Sequence, residues 1–200
     1  MLAPSSLPFD GGRLYAAAFW VTFVLWNGAE LFLNVKQRST SSRTADRGSF
    51  RLLAMTMAVA FTLDFACALL LPSAAMTGMA RTAFAAGLGC VLAGTGLRWY
   101  AVATLKQYFT VDVVARASQP VIQAGPYRLI RHPAYTGMLL ALIGFALALG
   151  NWLGLLLMVA LPGSAFAYRI AVEEAALRST LGEPYARYMR RTWRMIPLLV

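Results

Sequence analysis

The sequence predicts an all-α integral membrane protein with about five transmembrane helices. Three observations carry this. Of its 200 residues, 59% are hydrophobic and 13% charged, where a soluble domain is nearer half apolar and a quarter charged. Its apolar residues fall in runs long enough to cross a bilayer. Its basic residues collect in the segments that five spans would place on one side. Such a chain cannot cover itself with a polar surface, and helices that satisfy their own backbone suit it to lipid.

The first apolar run, Leu14 to Val35, carries Asn27 and Glu30 in its last third. Lys36 to Arg51 is basic and rich in Ser, Thr and Gly, so it reads as a loop. The second run, Leu52 to Leu71, contains Asp64 and stops at Pro72. The third, Thr82 to Leu105, has a row of small residues, Ala86, Cys90 and Gly94, of the kind that permits close helix contact. Lys106 to Pro133 is the least apolar stretch of the second half, with breakers at Gly125-Pro126 and His132-Pro133. Tyr135–Leu149 and Trp152–Tyr168 follow, split by Gly150-Asn151, which predicts a tight helical hairpin. From Arg169 the chain is charged with apolar residues at helical spacing, the pattern of a cytoplasmic amphipathic helix. Gly182 and Pro184 end or break it.

These runs divide the chain into an N-terminal three-helix membrane region, 1–105, and a second region, 106–200, with the helical hairpin and the cytoplasmic tail. The N-terminal residues lack the basic start of a signal peptide, so the first run is expected to stay in the mature protein. Lys/Arg asymmetry places the N-terminus outside and the C-terminus in the cytoplasm. Ala/Arg/Gly-rich usage suggests a bacterial inner membrane.

The net charge of +10 lies between apolar spans and reflects topology and attraction to anionic lipid rather than nucleic-acid binding. Cys67, Cys90 and the single histidine, His132, form no metal-ligand cluster. No metal is expected, and the cysteines read as packing residues.

Ionisable residues inside or at the edge of a span are candidates for function. Arg98 reads as snorkelling to the interface or as a ligand contact. Asp64 reads as an inter-helix hydrogen bond. Arg169 and Glu173 share a helix face at i, i+4, either as a surface ion pair or as a clamp for a carboxylated ligand. Pro133 drives His132 out of the helical region. Two rigid bends then gather Tyr127, His132 and Tyr135 at the mouth of the hairpin, read either as a site or as a helix start with an incidental histidine.

The order Gly125-Pro-Tyr-Arg-Leu-Ile-Arg-His-Pro-Ala-Tyr-Thr-Gly137, an apolar hairpin, then Arg169-Ile-Ala-Val-Glu-Glu174 closely resembles the isoprenylcysteine carboxyl methyltransferase family. It resembles the phospholipid methyltransferases more loosely. The likeness runs from about Arg98 to the C-terminus and includes Leu181-Gly-Glu-Pro-Tyr-Ala-Arg-Tyr188. The resemblance implies a membrane-embedded methyltransferase that uses S-adenosylmethionine. Matched residue by residue, Gln119, Pro120, Val121, Ile122, Tyr127, His132, Pro133, Ala134, Tyr135, Glu173 and Glu174 would line the cofactor. Arg169 and Glu173 are the expected catalytic residues, and Arg169 and Arg98 the expected contacts to the acceptor. The expected acceptor is lipid-borne or a hydrophobic small molecule, most simply a carboxylate, met from within the surrounding membrane lipid. The alternatives are an NADPH-dependent reductase of the sterol-reductase type and a non-enzymatic membrane scaffold.

Overall fold

The computed structural model describes residues 12–36, 48–109 and 119–197. The basic residues Arg38, Arg43, Arg47 and Arg116 lie outside them. Every regular element among the described residues is helical. The helices are α1 (Arg13–Lys36), α2 (Ser49–Leu70), α3 (Ala80–Leu105), α4 (Pro133–Leu149), α5 (Trp152–Leu181) and α6 (Glu183–Met189). Four helical segments are long and apolar enough to cross a membrane: Arg13–Lys36, Ser49–Leu70, Ala80–Tyr108 and Trp152–Leu181. Pro133–Leu149 is apolar but shorter.

The hairpin forms where the sequence breaks. Gly150 closes α4 at φ 71°, a left-handed conformation that favours glycine. Asn151 caps α5, its side-chain oxygen accepting from the N–H groups of Leu153 and Gly154. Its amide nitrogen donates to the carbonyls of Cys67 and Leu71 at 3.0 and 3.1 Å, which ties the hairpin to the end of α2. No break separates the last apolar run from the charged segment after Arg169. Both belong to α5, whose 30 residues extend about 45 Å at 1.5 Å per residue, beyond a hydrocarbon core of about 30 Å.

Helix α3 packs along α4, and α2 along α5. Glycines set the first contact. A Cβ on Gly87 would stand 2.5 Å from the Gly144 carbonyl oxygen, and one on Gly94 would meet the Gly137 carbonyl. The antiparallel backbones therefore touch at two points seven residues apart on each helix. Of the small row expected on α3, only Gly94 lies at this contact. Ala86 is exposed, because the touching face is set by Gly87, Val91, Gly94 and Arg98.

Helix α1 joins the bundle through aromatic rings. Phe19, Phe23 and Trp26 each meet Phe145 of α4 edge to face, with centroids 5.4–5.9 Å apart. Asp64 departs from its expected role. It is fully buried, and neither carboxylate oxygen has a hydrogen-bond partner among the described residues. Gly154 leaves the room it occupies, so the side chain sits against the backbone of α5 and crosses to no polar group.

Candidate active site

A cavity of ≈ 580 Å³ opens between the C-terminal half of α1 and the N-terminal part of α2 on one side and α3, α5, the start of α4 and the segment before it on the other. Its wall is divided by chemistry. Trp26, Leu53, Met57, Phe61 and Met138 make an apolar part. Glu30, Arg98, Tyr127, His132, Tyr135, Arg169 and Glu173 make a polar part.

The polar part is built on two sharp features before α4. Gly125 has φ +53° and opens a turn of 3₁₀-helix, Gly125–Arg128, that buries Tyr127. A Cβ there would stand 2.9 Å from the Tyr100 hydroxyl. Burial, and then the charge of Glu173, push the Tyr127 phenol well above its ordinary value, so it stays a neutral hydroxyl. His132 precedes α4, and Pro133 occupies its first turn, where its missing N–H costs nothing.

The expected pair Arg169 and Glu173 is joined through a third group. The Tyr135 hydroxyl donates to Glu173 Oε2 at 2.8 Å and accepts from Arg169 Nε at 2.9 Å. Arg169 also donates to Ser49 Oγ at 2.9 Å, and its guanidinium lies 5.9 Å from the Phe50 ring centre. Arg169 is buried, which removes the surface-ion-pair reading. One arginine thus links α5, the first turn of α4 and the start of α2.

Arg98 does not snorkel. It is buried, and its Nε and one Nη donate to the two carboxylate oxygens of Glu30 at 2.5 and 2.7 Å. The other Nη reaches the Ala134 carbonyl at 3.3 Å. Every nitrogen of this side chain therefore has a protein partner. Glu30 is the site residue that sequence reasoning left unassigned. A lone carboxylate in the last third of an apolar span was the available signal.

Gln119, Pro120, Val121, Ile122, Tyr127, His132, Ala134, Tyr135 and Glu173 all line the cavity, with Arg169 and Arg98. Pro133 and Glu174 are not among its lining residues. Glu174 is buried behind the wall and gathers three cationic or protonatable groups. Arg131 Nε stands at 2.8 Å, Arg194 Nε at 3.0 Å and His132 Nε2 at 3.4 Å.

Residues 87–179, from mid-α3 to the end of α5, match one protein family. The family is isoprenylcysteine carboxyl methyltransferase (ICMT). The matched stretch contains the polar wall apart from Glu30. The Protein-S-isoprenylcysteine O-methyltransferase of Schizosaccharomyces pombe is 32% identical over 114 residues, covering 56% of this chain and 48% of that protein. Protein-S-isoprenylcysteine O-methyltransferase B of Arabidopsis thaliana is 29% identical over 115 residues, 56% of this chain and 58% of that protein. The alignments thus span only about half the length of these ICMT relatives. In three dimensions the chain is similar to the eukaryotic intramembrane Ras methyltransferase ICMT. The TM-score is 0.66 at 22% identity, covering 99% of this chain and 69% of the other. That likeness establishes a shared ICMT fold, and it includes the first two helices, which carry no motif.

Proposed function

We propose that this protein is an S-adenosylmethionine-dependent methyltransferase whose acceptor is a carboxylate carried on an apolar group. The observation that carries the proposal is the divided cavity, where the motif residues of the ICMT family face an apolar wall from α1, α2 and α4. The relatives are named for methylation of protein-S-isoprenylcysteine, an acceptor of this chemical kind.

The residues present fit the cofactor. A cavity of ≈ 580 Å³ lies within the usual range for small-molecule sites, about 300–1,000 Å³. Its polar wall offers a carboxylate, Glu173, together with His132 and the neutral phenols of Tyr127 and Tyr135. These suit a ligand with an amine, ribose hydroxyls and an adenine ring. S-adenosylmethionine, when bound, supplies a methyl group on a positively charged sulfur.

The protein's own task is alignment and exclusion of water. Glu173, held by Tyr135, fixes the donor side. Arg169 holds the acceptor carboxylate, and the wall of Leu53, Met57 and Phe61 takes the apolar part. A carboxylate acceptor arrives without a proton to lose, so the site needs no general base. The family match favours methyl transfer over the sterol-reductase and scaffold alternatives.

The proposed topology has five spans, α4 included, with the N-terminus outside and the C-terminus cytoplasmic. The 17 residues of α4 cover about 25 Å, so local thinning or a tight hairpin fits better than tilt. Lys36, Lys106, Arg128 and Arg178 then share the cytoplasmic side, and Arg13 and Arg81 the other. A bacterial inner membrane belongs to this proposal. So does the division into a membrane region, 1–105, and a cofactor half, 106–200, although the cavity draws on both.

Titration of purified protein with S-adenosylmethionine, and separately with NADPH, is the direct test. Saturable binding is expected for the first and none for the second. His132→Ala and Glu173→Ala should each weaken S-adenosylmethionine about tenfold or more, the loss of one polar contact of about 1–3 kcal/mol. Neither should unfold the chain. Glu174 keeps Arg131 and Arg194 when His132 is removed, and Tyr135 keeps Arg169 when Glu173 is removed. Wild-type affinity in both variants would take these residues out of the donor site.

A further inference from the structure

Beyond α6 the chain turns back and lies against the segment before α4. Trp193 N–H donates to the Leu129 carbonyl at 3.1 Å, and the N–H groups of Arg131 and His132 donate to the carbonyls of Trp193 and Arg194 at 2.8 and 2.9 Å. Arg131 also donates to the carbonyls of Met189 and Thr192. Thr136 Oγ1 donates to the Met195 carbonyl at 2.8 Å. This strap therefore holds the backbone of His132 from behind the cavity wall.

The last contact fixes the depth of the strap. Thr136 is in the first turn of α4, where the apolar run begins, so the proposed topology puts Trp193 to Ile196 level with the membrane interface. At that level Leu129, Trp193 and Ile196 expose apolar surface. Arg128, Arg191 and Arg194 are exposed beside them in sequence. Residues 128–136 and 190–197 contain no Asp or Glu. Arg190 and Arg194 have carboxylate partners, Glu183 and Glu174. Arg128 and Arg191 have none among the described residues. Aromatic and aliphatic side chains flanked by arginines match the interface of a bilayer with anionic headgroups.

We propose that anionic phospholipid seats this strap and, by seating it, tightens the donor site at His132. A lipid surface that binds the docked strap stabilises the wall that the donor also stabilises, so each favours the other. Only the second half of this proposal rests on the methyltransferase reading.

The test uses full-length protein in nanodiscs of phosphatidylcholine alone or with one third phosphatidylglycerol. The first readout is quenching of Trp193 fluorescence by brominated acyl chains, isolated by subtracting a Trp193→Phe control. The second is S-adenosylmethionine affinity. Each arginine near an anionic surface favours association by roughly fivefold. Stronger Trp193 quenching and several-fold tighter donor binding are expected in the anionic discs. Both should be lost in Arg128→Gln/Arg191→Gln and at high salt. Equal quenching and equal affinity in the two lipids would overturn the proposal. So would neutral discs in which free glycerol phosphate reproduces the effect, since that marks a site for a soluble anion. Lipid-dependent quenching with no donor binding in either disc would support the lipid seat and retire the methyltransferase reading instead.

Discussion

Replacing Glu30 with glutamine while keeping Arg98 is expected to lower folding stability by about 3–5 kcal/mol, the usual cost of leaving one member of a buried ion pair behind. Glu30 and Arg98 come from α1 and α3 and are both buried. Arg98 meets both carboxylate oxygens, so glutamine keeps one acceptor but removes the charge and turns an NH₂ donor toward a guanidinium N–H. Arg98→Met should cost a similar amount, because it strands Glu30 instead. The double variant Glu30→Leu/Arg98→Met should recover most of the loss, since packed apolar residues often replace such a pair without penalty. Unfolding by denaturant in detergent, for wild type, both singles and the double, gives the coupling. Additive losses in the double variant would show that the two residues act separately. A harmless Glu30→Gln would show that water in the cavity already solvates Arg98.

This pair also marks how far the sequence could be read. The helices and their ends were legible because Pro72, Gly150-Asn151 and Gly182 are local signals, and each acts through its own backbone. The residues of the wall before α4 were legible because a motif carries them in order. The partner of Arg98 was not legible, since Glu30 lies 68 residues away and no local pattern joins them. Distance in sequence also hid the role of Glu174, whose partners Arg131 and Arg194 come from either side of the hairpin. The Arg-xxx-Glu-Glu spacing puts the two glutamates on adjacent helix positions, which point about 100° apart. One can line the cavity while its neighbour organises the strap behind it. The face of α3 was misjudged for a related reason. Small residues stand on more than one side of that helix, and only tertiary packing selects Gly87 with Gly94 over Ala86 and Cys90.

Arg169→Ala is expected to reduce methyl transfer by about a hundredfold while S-adenosylmethionine affinity changes little. The argument is positional. Arg169 lies one helical turn before Glu173, nearer the apolar run of α5 and toward the side from which a lipid-borne acceptor would come. Its guanidinium is fixed by Tyr135 and Ser49, and a shift of about 1 Å in such a positioning group can cost about a hundredfold in rate. Arg169→Lys should fail to restore the rate. Lysine keeps the charge but offers no planar fork, so it cannot hold Tyr135, Ser49 and a carboxylate together. Tyr135→Phe separates positioning from charge. It keeps the Arg169 charge but removes the hydroxyl between Arg169 and Glu173, so it should lower both the rate and donor affinity. The measurements are donor affinity and methyl-transfer rate for wild type and the three variants. A fall in donor affinity that matches the fall in rate for Arg169→Ala would place Arg169 on the donor side. A lysine variant with near wild-type rate would reduce its role to a point charge, and the carboxylate-clamp mechanism would be abandoned.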